Sequence, residues 1–359
     1  MAITKIPAAG FSNAVNFRNT IINGDMSIAQ RATSSTGITG SGYYTCDRWR
    51  IGADTAGTWT QSQDTSVPTG QGFAKSLKLD CTTANGSLSA GSVLFYTQRI
   101  EGQNLQYLKK GTSNAESLTA SFWVKSNKTG TYILMLDDTD NGRSFSKSYT
   151  ISSANTWEKK TLTYAGDTSG AFSNDNNRSF DMRFWLAAGG DFTSGTLNTS
   201  WNSNTNANMA VGQVNLADST SNELYLTGIQ LEVGTTASEF EFLPVDINLG
   251  RCQRYFCDSG TSGVGWVAGA LNASNAPWRF QFPKTMRAAP SGSIIGTINT
   301  DYKIYQNEDF RTMSNAYFGA ITLDSAKVEV ESSAAFASGE VGHWYFTTTT
   351  GKFQFSAEL

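Results

Sequence analysis

Histidine is almost missing from this sequence: His343 is the only one in 359 residues. Cysteine occurs four times, at Cys46, Cys81, Cys252 and Cys257, with no close-spaced Cys or His pairs. Structural zinc takes four nitrogen or sulfur ligands from such pairs, so the cysteines read as structural thiols. Ser-His-Asp chemistry would rest on His343 alone, in a Trp/Tyr-rich segment where a structural histidine is expected. Charged residues make up only 16% and the net charge is -3. No basic stripe offers a nucleic-acid footprint. Long apolar runs are also lacking. None approaches a membrane span, and the opening Met-Ala-Ile-Thr-Lys-Ile-Pro-Ala-Ala-Gly has no apolar core of signal-peptide length.

What the chain does have is 12% aromatics, 34 glycines and abundant Ser, Thr and Asn, the makings of β-sheet and tight turns. Asn19–Arg31 reads as a strand, an Asn-Gly turn and a second extended piece. Further strands are expected at Ser76–Cys81, Val93–Ile100, Ser117–Lys125, Tyr132–Leu136, Trp157–Tyr164, Phe180–Leu186 and Val211–Leu216. The stretch Glu223–Gly234 alternates with period two, placing Tyr225, Thr227, Ile229, Leu231 and Val233 on one face, and it closes the series. Short strands with no intervening helix pattern indicate an all-β, jelly-roll β-sandwich. A short helix at 244–256 follows, then a second, smaller β domain. The expected organisation is an N-terminal docking arm at 1–18, the jelly roll at 19–243, a linker helix at 244–256 and a C-terminal β domain at 257–359.

Several strands pair an apolar face with a polar face carrying one large aromatic. Phe122 and Val124 oppose Trp123 and Lys125; Met182 and Phe184 oppose Arg183 and Trp185; Tyr96 falls together with Gln98. Trp123, Trp185 and Tyr96, flanked by Gln98, Lys125 and Arg183, are the candidate carbohydrate platform. Sugar rings stack their C–H faces on aromatics and present hydroxyls to polar neighbours. Against this stands packing of the same face on a second layer, a loop or a neighbouring subunit, because a Trp is costly to leave in water. Trp49, in Cys46-Asp-Arg-Trp-Arg50, is expected to anchor the core, with Asp47 and Arg48 as an ion pair or turn cap. Asp137-Asp-Thr-Asp-Asn-Gly142 reads as a solvated turn or a weak cation loop, so no catalytic residues are assigned and the chain is expected not to be an enzyme.

Three segments in order resemble a widespread group of bacteriophage tail-fibre and other virion surface proteins. They are Arg18-Asn-Thr-Ile-Ile-Asn-Gly-Asp-Met-Ser-Ile-Ala-Gln-Arg31 with Tyr44-Thr-Cys-Asp-Arg-Trp49; Leu226-Thr-Gly-Ile-Gln-Leu-Glu-Val-Gly234 running into Arg251-Cys-Gln-Arg-Tyr-Phe256; and Phe282-Pro-Lys-Thr-Met-Arg-Ala-Ala-Pro290. The first domain also resembles, more loosely, jelly-roll carbohydrate-binding modules. In those modules an acidic residue of the opening motif often joins a structural calcium site with a residue of the last strand. Asp25 and Gln230 stand at these positions, and an amide in place of a carboxylate weakens such a site. The resemblance implies a virion location, a tail fibre or receptor-binding protein attaching to host surface glycans, and homotrimer assembly. Residues 1–18 would dock on other tail or capsid proteins, with no nucleic acid bound and no membrane insertion. The alternative is a structural capsid-decoration, head-fibre or tail-adaptor protein.

Overall fold

A computed structural model describes residues 17–260, 263–269, 275–306, 309–331, 341–348 and 351–359. The docking arm expected at 1–18 therefore lies, but for its last two residues, outside the described residues. The chain divides into two compact units, Met1–Pro244 and Val245–Leu359.

The first unit contains β1 (Ser34–Ile38), β2 (Gly42–Tyr43), β3 (Arg50–Asp54), β4 (Thr58–Asp64), β5 (Ser76–Thr83), β6 (Val93–Glu101), β7 (Leu118–Ser126), β8 (Gly130–Asp138), β9 (Arg143–Ile151), β10 (Glu158–Tyr164), β11 (Arg178–Ala188), α1 (Gly190–Thr193), β12 (Asn202–Ser203) and β13 (Glu223–Val233). They form a six-stranded sheet, β1-β4-β5-β13-β7-β10, and a seven-stranded sheet, β12-β9-β8-β11-β6-β3-β2. Within them β5-β13-β7-β10 and β6-β11-β8-β9 make an eight-stranded jelly roll, the chain crossing between sheets at most connections. Leu79, Phe122, Val124 and Leu226 from one sheet meet Tyr96, Leu134, Phe180 and Phe184 from the other in one buried core. The strand expected at Val211–Leu216 is instead a turn leading into a single 3-10 turn, where Asn215 caps the Ala217 amide. Its side chains still reach the core through Leu216 and Ala217.

Period two fails in β13 itself. Its register against β7 slips between Thr227 and Gln230, and Gly228 sits there at φ +60°, a left-handed conformation that favours glycine. Leu224 and Leu226 consequently share the core with Ile229 and Leu231, whereas strict alternation puts the two pairs on opposite faces. Tyr225 and Thr227 are left on the outside.

Asn19–Arg31 forms a strap rather than the expected strand pair, held by side chains. Asn19 donates from Nδ2 to the Ile229 carbonyl and accepts from the Leu231 amide. Thr20 N donates to Leu231 O, and Ile229 N to Gly24 O. The Asn-Gly turn is present, with Asn23 at φ 57°. The Asn23 side chain donates to the Ile28 and Asp47 carbonyls. A Cβ on Gly24 would lie 2.0 Å from Ile229 O, so only glycine lets the strap approach β13. Trp49 is fully buried, as expected, and donates to Asn23 O at 3.0 Å. Asp47 and Arg48 take other partners. Asp47 accepts from both the Gln30 backbone and its side-chain amide, while Arg48 donates to Arg99 O.

The second unit opens with α2 (Val245–Gln253), then β14 (Phe256–Asp258), β15 (Gly263–Gly269), β16 (Asn275–Gln281), β17 (Ser291–Ile295), β18 (Tyr302–Gln306), β19 (Asp309–Arg311), β20 (Asn315–Ile321), β21 (Ser325–Glu331), β22 (Val341–Phe346) and β23 (Lys352–Ser356). Its sheets are β14-β23-β17, β15-β22-β18-β19 and β16-β21-β20. An aromatic core joins them, with Phe280 stacked on Phe355 at 5.2 Å and Trp278 against Phe353. His343 is exposed on β22, not a core histidine. All four cysteines are buried thiols that form no disulfide. Burial pushes the Cys46 and Cys257 thiols up to about 12, which disfavours the reactive thiolate.

Gly24→Ala is expected to destabilise the first unit by about 2 kcal/mol or more, since backbone must move to relieve the clash. Gly40→Ala, where nothing lies within 4 Å, is expected to change stability by less than about 0.5 kcal/mol. Guanidinium unfolding followed by tryptophan fluorescence compares the two; equal midpoints would contradict the close-approach account.

Candidate functional site

The six residues expected to form one carbohydrate platform fall in three places. Tyr96 and Gln98 point into the core and are buried. Gln98 is a structural clamp, accepting from the Ile22 amide at 2.7 Å and donating to the Ile22 carbonyl at 2.8 Å. Alternation along β6 groups them correctly but on the inner face. Arg183 and Trp185 lie on the outer face of the seven-stranded sheet, where Phe192, Leu197, Met209 and Ala210 cover the indole. Trp123 and Lys125 alone lie on the outer face of the six-stranded sheet, in part-exposed positions. The platform as assembled from sequence is thus not a single site.

Around Trp123 and Lys125 the sheet register gathers other groups. Tyr225 is opposite Lys125 on one side and Lys78 on the other; Trp123 is opposite Thr227 and Lys159. Trp157, just before β10, meets Tyr225 edge-on at 6.1 Å between ring centroids. Lys125 Nζ stands 3.8 Å above the Tyr225 ring and 5.6 Å from that of Trp157, and donates to Ser66 Oγ at 2.8 Å. Such cation–π contacts hold an ammonium over the negative face of the ring. Burial holds the Lys125 ammonium below its usual range, with Glu223 and Asp64 opposing. Burial pulls Lys78 the same way, yet its hydrogen bonds with Glu223 and Tyr225 keep it above the usual lysine range. The indole nitrogen of Trp157 has no hydrogen-bond partner among the described residues. The result is a polar aromatic face, Trp123, Trp157 and Tyr225 with Lys78, Lys125 and Glu223. The bulge at Gly228 leaves Tyr225 outside, and only the register brings Trp157 to it. No local sequence pattern marks Trp157, because its partners are distant in the chain.

The acidic segment divides in two: Asp140, Asn141 and Gly142 lie in the exposed turn between β8 and β9, as expected, whereas Asp137 and Asp138 are the last residues of β8. Asp137 and Asp138 are buried on opposite faces of the strand. Asp137 pairs with Arg183 at 3.0 Å, and burial raises its carboxyl above the usual range. Asp138 meets the buried Lys110 ammonium at 2.5 Å, which also contacts Asp167 at 3.1 Å. Burial acts to raise Asp167, but hydrogen bonds from Arg143 and Lys110 outweigh it and hold the carboxyl low. The two carboxylates therefore neither face each other nor stand free for acid–base work.

The expected calcium ligands do not fit such an ion. The one side-chain oxygen of Gln230 accepts from the Glu241 amide, and its nitrogen donates to Glu232 and Ser238. Asp25 accepts from Ser27. Calcium needs six to eight oxygens, and among the described residues no group of three His, Cys, Asp or Glu is placed to hold a metal.

No family model matches the chain, and no curated protein does. Among solved structures it is similar to the enzymatically active domain of tailspike protein 4 of bacteriophage CBA120, at 14% identity and TM-score 0.33 over 61% of this chain, an alignment spanning only 22% of that one. It is also similar to a family 11 carbohydrate-binding module from Clostridium thermocellum, in complex with a β-1,3-1,4-mixed-linked tetrasaccharide. That alignment has 10% identity and TM-score 0.29 over 59% of this chain and all of that one, 100%. A CBM4 structure aligns at 13% identity and TM-score 0.31 over 59% of this chain and 98% of its own. At these values the jelly roll is assigned from its own strand order.

Lys110→Met is expected to cost roughly 3–5 kcal/mol, because it leaves Asp138 buried without its cation. The low Asp167 carboxyl contributes stability that is present above its unfolded value, about 3.9, and lost as pH falls through the folded one. The guanidinium midpoint of the native chain is expected to be lower at pH 3 than at pH 6. A midpoint that rises on acidification would contradict the pairing.

Proposed function

We propose that this chain is a non-enzymatic surface protein of a bacteriophage particle, attaching to host glycans through the outer face of the six-stranded sheet. The carrying observation is the part-exposed Trp123 and Trp157 beside Tyr225, on a face the core does not need. Indole rings supply flat apolar area for sugar C–H faces, while Lys125, Lys159 and Glu223 supply partners for hydroxyls. Each contact would be weak, and display in many copies would make attachment firm. The phage setting is supported by the three sequence segments, whose residues have structural roles: Asn19, Asn23 and Gly24 build the strap, and Gly228 the bulge. Homotrimer assembly belongs to the same proposal and is checked by sedimentation.

A second reading, docking on other virion proteins, is favoured by the Phe73, Phe240 and Phe242 cluster, with centroids 4.9–5.1 Å apart and Phe242 51% exposed. Exposed aromatic clusters of this kind commonly mark protein contacts.

Glycan arrays with the purified chain, followed by Trp123→Ala and Trp157→Ala, decide between them. Each substitution is expected to weaken the best glycan by roughly 10-fold, the loss of one aromatic contact, with the thermal midpoint preserved. No glycan binding, together with unimpaired host adsorption of particles carrying both substitutions, would overturn the glycan reading. Loss of incorporation into particles on Phe242→Ser would favour the second.

A further inference from the structure

The second unit carries an aromatic face that its core does not use. Along β18, alternation sends Tyr302, Ile304 and Gln306 inward, where they are buried, and leaves Lys303 and Tyr305 part-exposed on the other side. Register completes that side. Tyr345 of β22 stands opposite Lys303, while His343 of β22 and Phe310 of the edge strand β19 flank Tyr305. Phe310 is 44% exposed.

These side chains lie close together but have few protein partners. The Phe310 ring is 5.2 Å from that of Tyr305 and 5.7 Å from that of Tyr345, edge-on to both. Lys303 Nζ stands 5.2 Å over the Phe310 ring and makes no ion pair among the described residues. The Tyr305 and Tyr345 hydroxyls make no hydrogen bond among the described residues, and neither oxygen is buried. The neighbouring charges lie elsewhere. Asp309 and Arg311 belong to the alternate side of β19, opposite Gln306 and Ile304, and the Asp309 carboxylate accepts from the Phe310 amide. Asp301, just before β18, accepts from the Thr297 amide and the Thr348 hydroxyl. Among the described residues of β18, β19 and β22, the side that bears the rings thus holds an ammonium, an imidazole and no carboxylate.

We propose that this face binds an acidic saccharide, a pyranose ring packed on Phe310 between the two tyrosines and a sugar carboxylate held by Lys303. The rings offer apolar area to sugar C–H groups, while the two phenol hydroxyls and the exposed His343 offer partners to sugar hydroxyls. Each ring has a polar group beside it, which suits a sugar better than a broad apolar partner surface. Charge selects an acidic sugar over a neutral one. On the first unit's aromatic face Lys78 already has Glu223 and Asp80, whereas Lys303 has no carboxylate and can take one from a ligand. The same ammonium lies over the Phe310 ring, so the anion and ring contacts are contiguous. This site belongs to the other unit from Trp123 and Trp157 and does not depend on the reading given for them.

Calorimetry on the full chain with a galacturonic acid hexamer, a sialic acid hexamer, a neutral galactose hexamer and a glutamic acid hexapeptide tests the site. At least one acidic sugar is expected to bind more tightly than the neutral hexamer and the peptide, and to weaken as sodium chloride rises. Phe310→Ala should lower that affinity roughly 10-fold and Lys303→Gln about 5-fold, both at unchanged thermal midpoint. Trp123→Ala, and Lys284→Gln, which removes a charge outside this sheet, should leave it unaltered. No binding of either acidic sugar, equal affinity for the neutral hexamer, or unchanged affinity in both Phe310→Ala and Lys303→Gln would overturn the proposal. So would a loss in Lys284→Gln equal to that in Lys303→Gln, since general charge attraction would then account for binding. The hexapeptide binding as tightly as the acidic sugars would overturn the saccharide assignment. Self-association that sedimentation finds abolished by Phe310→Ala would give the face to a second copy of the chain and overturn it too. Acidic-sugar affinity lost in Trp123→Ala but kept in Phe310→Ala would move the site to the first unit, so failure here and failure there are told apart.

Discussion

Three side-chain amides, those of Asn19, Asn23 and Gln98, do for the strap at residues 19–31 what a β-ladder does elsewhere in the sandwich. They satisfy the backbone of Ile22, Ile28, Ile229 and Leu231 in a region where water cannot. An unmet backbone group there would cost more than one ordinary hydrogen bond contributes. The bulge in β13 and the glycine at position 24 follow from the same requirement. The strap must come close enough for Gly24 O to take the Ile229 amide. Trp49 and the Asp47–Gln30 bonds then close the end of the core behind it.

The bulge has a second effect, on the surface. By turning Ile229 and Leu231 inward with Leu224 and Leu226, it separates the core side chains of β13 from the outward Tyr225 and Thr227. The packing of the interior and the make-up of the outer face are thus set by one glycine. Seen this way, the Ile-Gln-Leu-Glu run is less a plain strand than the place where closure and surface are decided together. Gln230 and Glu232 serve the closure, bonding to Ser238 and the Glu241 backbone.

Much of the fold was legible from period two, because half-buried antiparallel strands put that period into the sequence. The β5, β6, β7, β10 and β11 strands lie where alternation places them. β9 escaped because Lys147 interrupts its inward row of Phe145, Tyr149 and Ile151, and β4 because Trp59 is its only large buried apolar side chain. The face assignments were less secure than the strands. Alternation tells which residues share a side, not which side is the core, and Tyr96 and Gln98 fell on the wrong one. Trp123 and Lys125 were placed on an outer face correctly, but Trp157 and Tyr225 reach them only through pairing between distant strands. No local pattern encodes that.

The strap also brings the two ends of the first unit together. Arg18 and Asn19 donate their backbone amides to the Glu241 carboxylate at 3.2 and 2.9 Å, and Arg18 Nε reaches Ser238 at 2.9 Å. Mechanically, the chain enters and leaves this unit at one point. Tension along the polypeptide from before Arg18 to beyond Glu241 is borne by that clasp and bypasses the two sheets. The sandwich hangs to one side of the load path, so its outer faces keep their shape while the clasp holds.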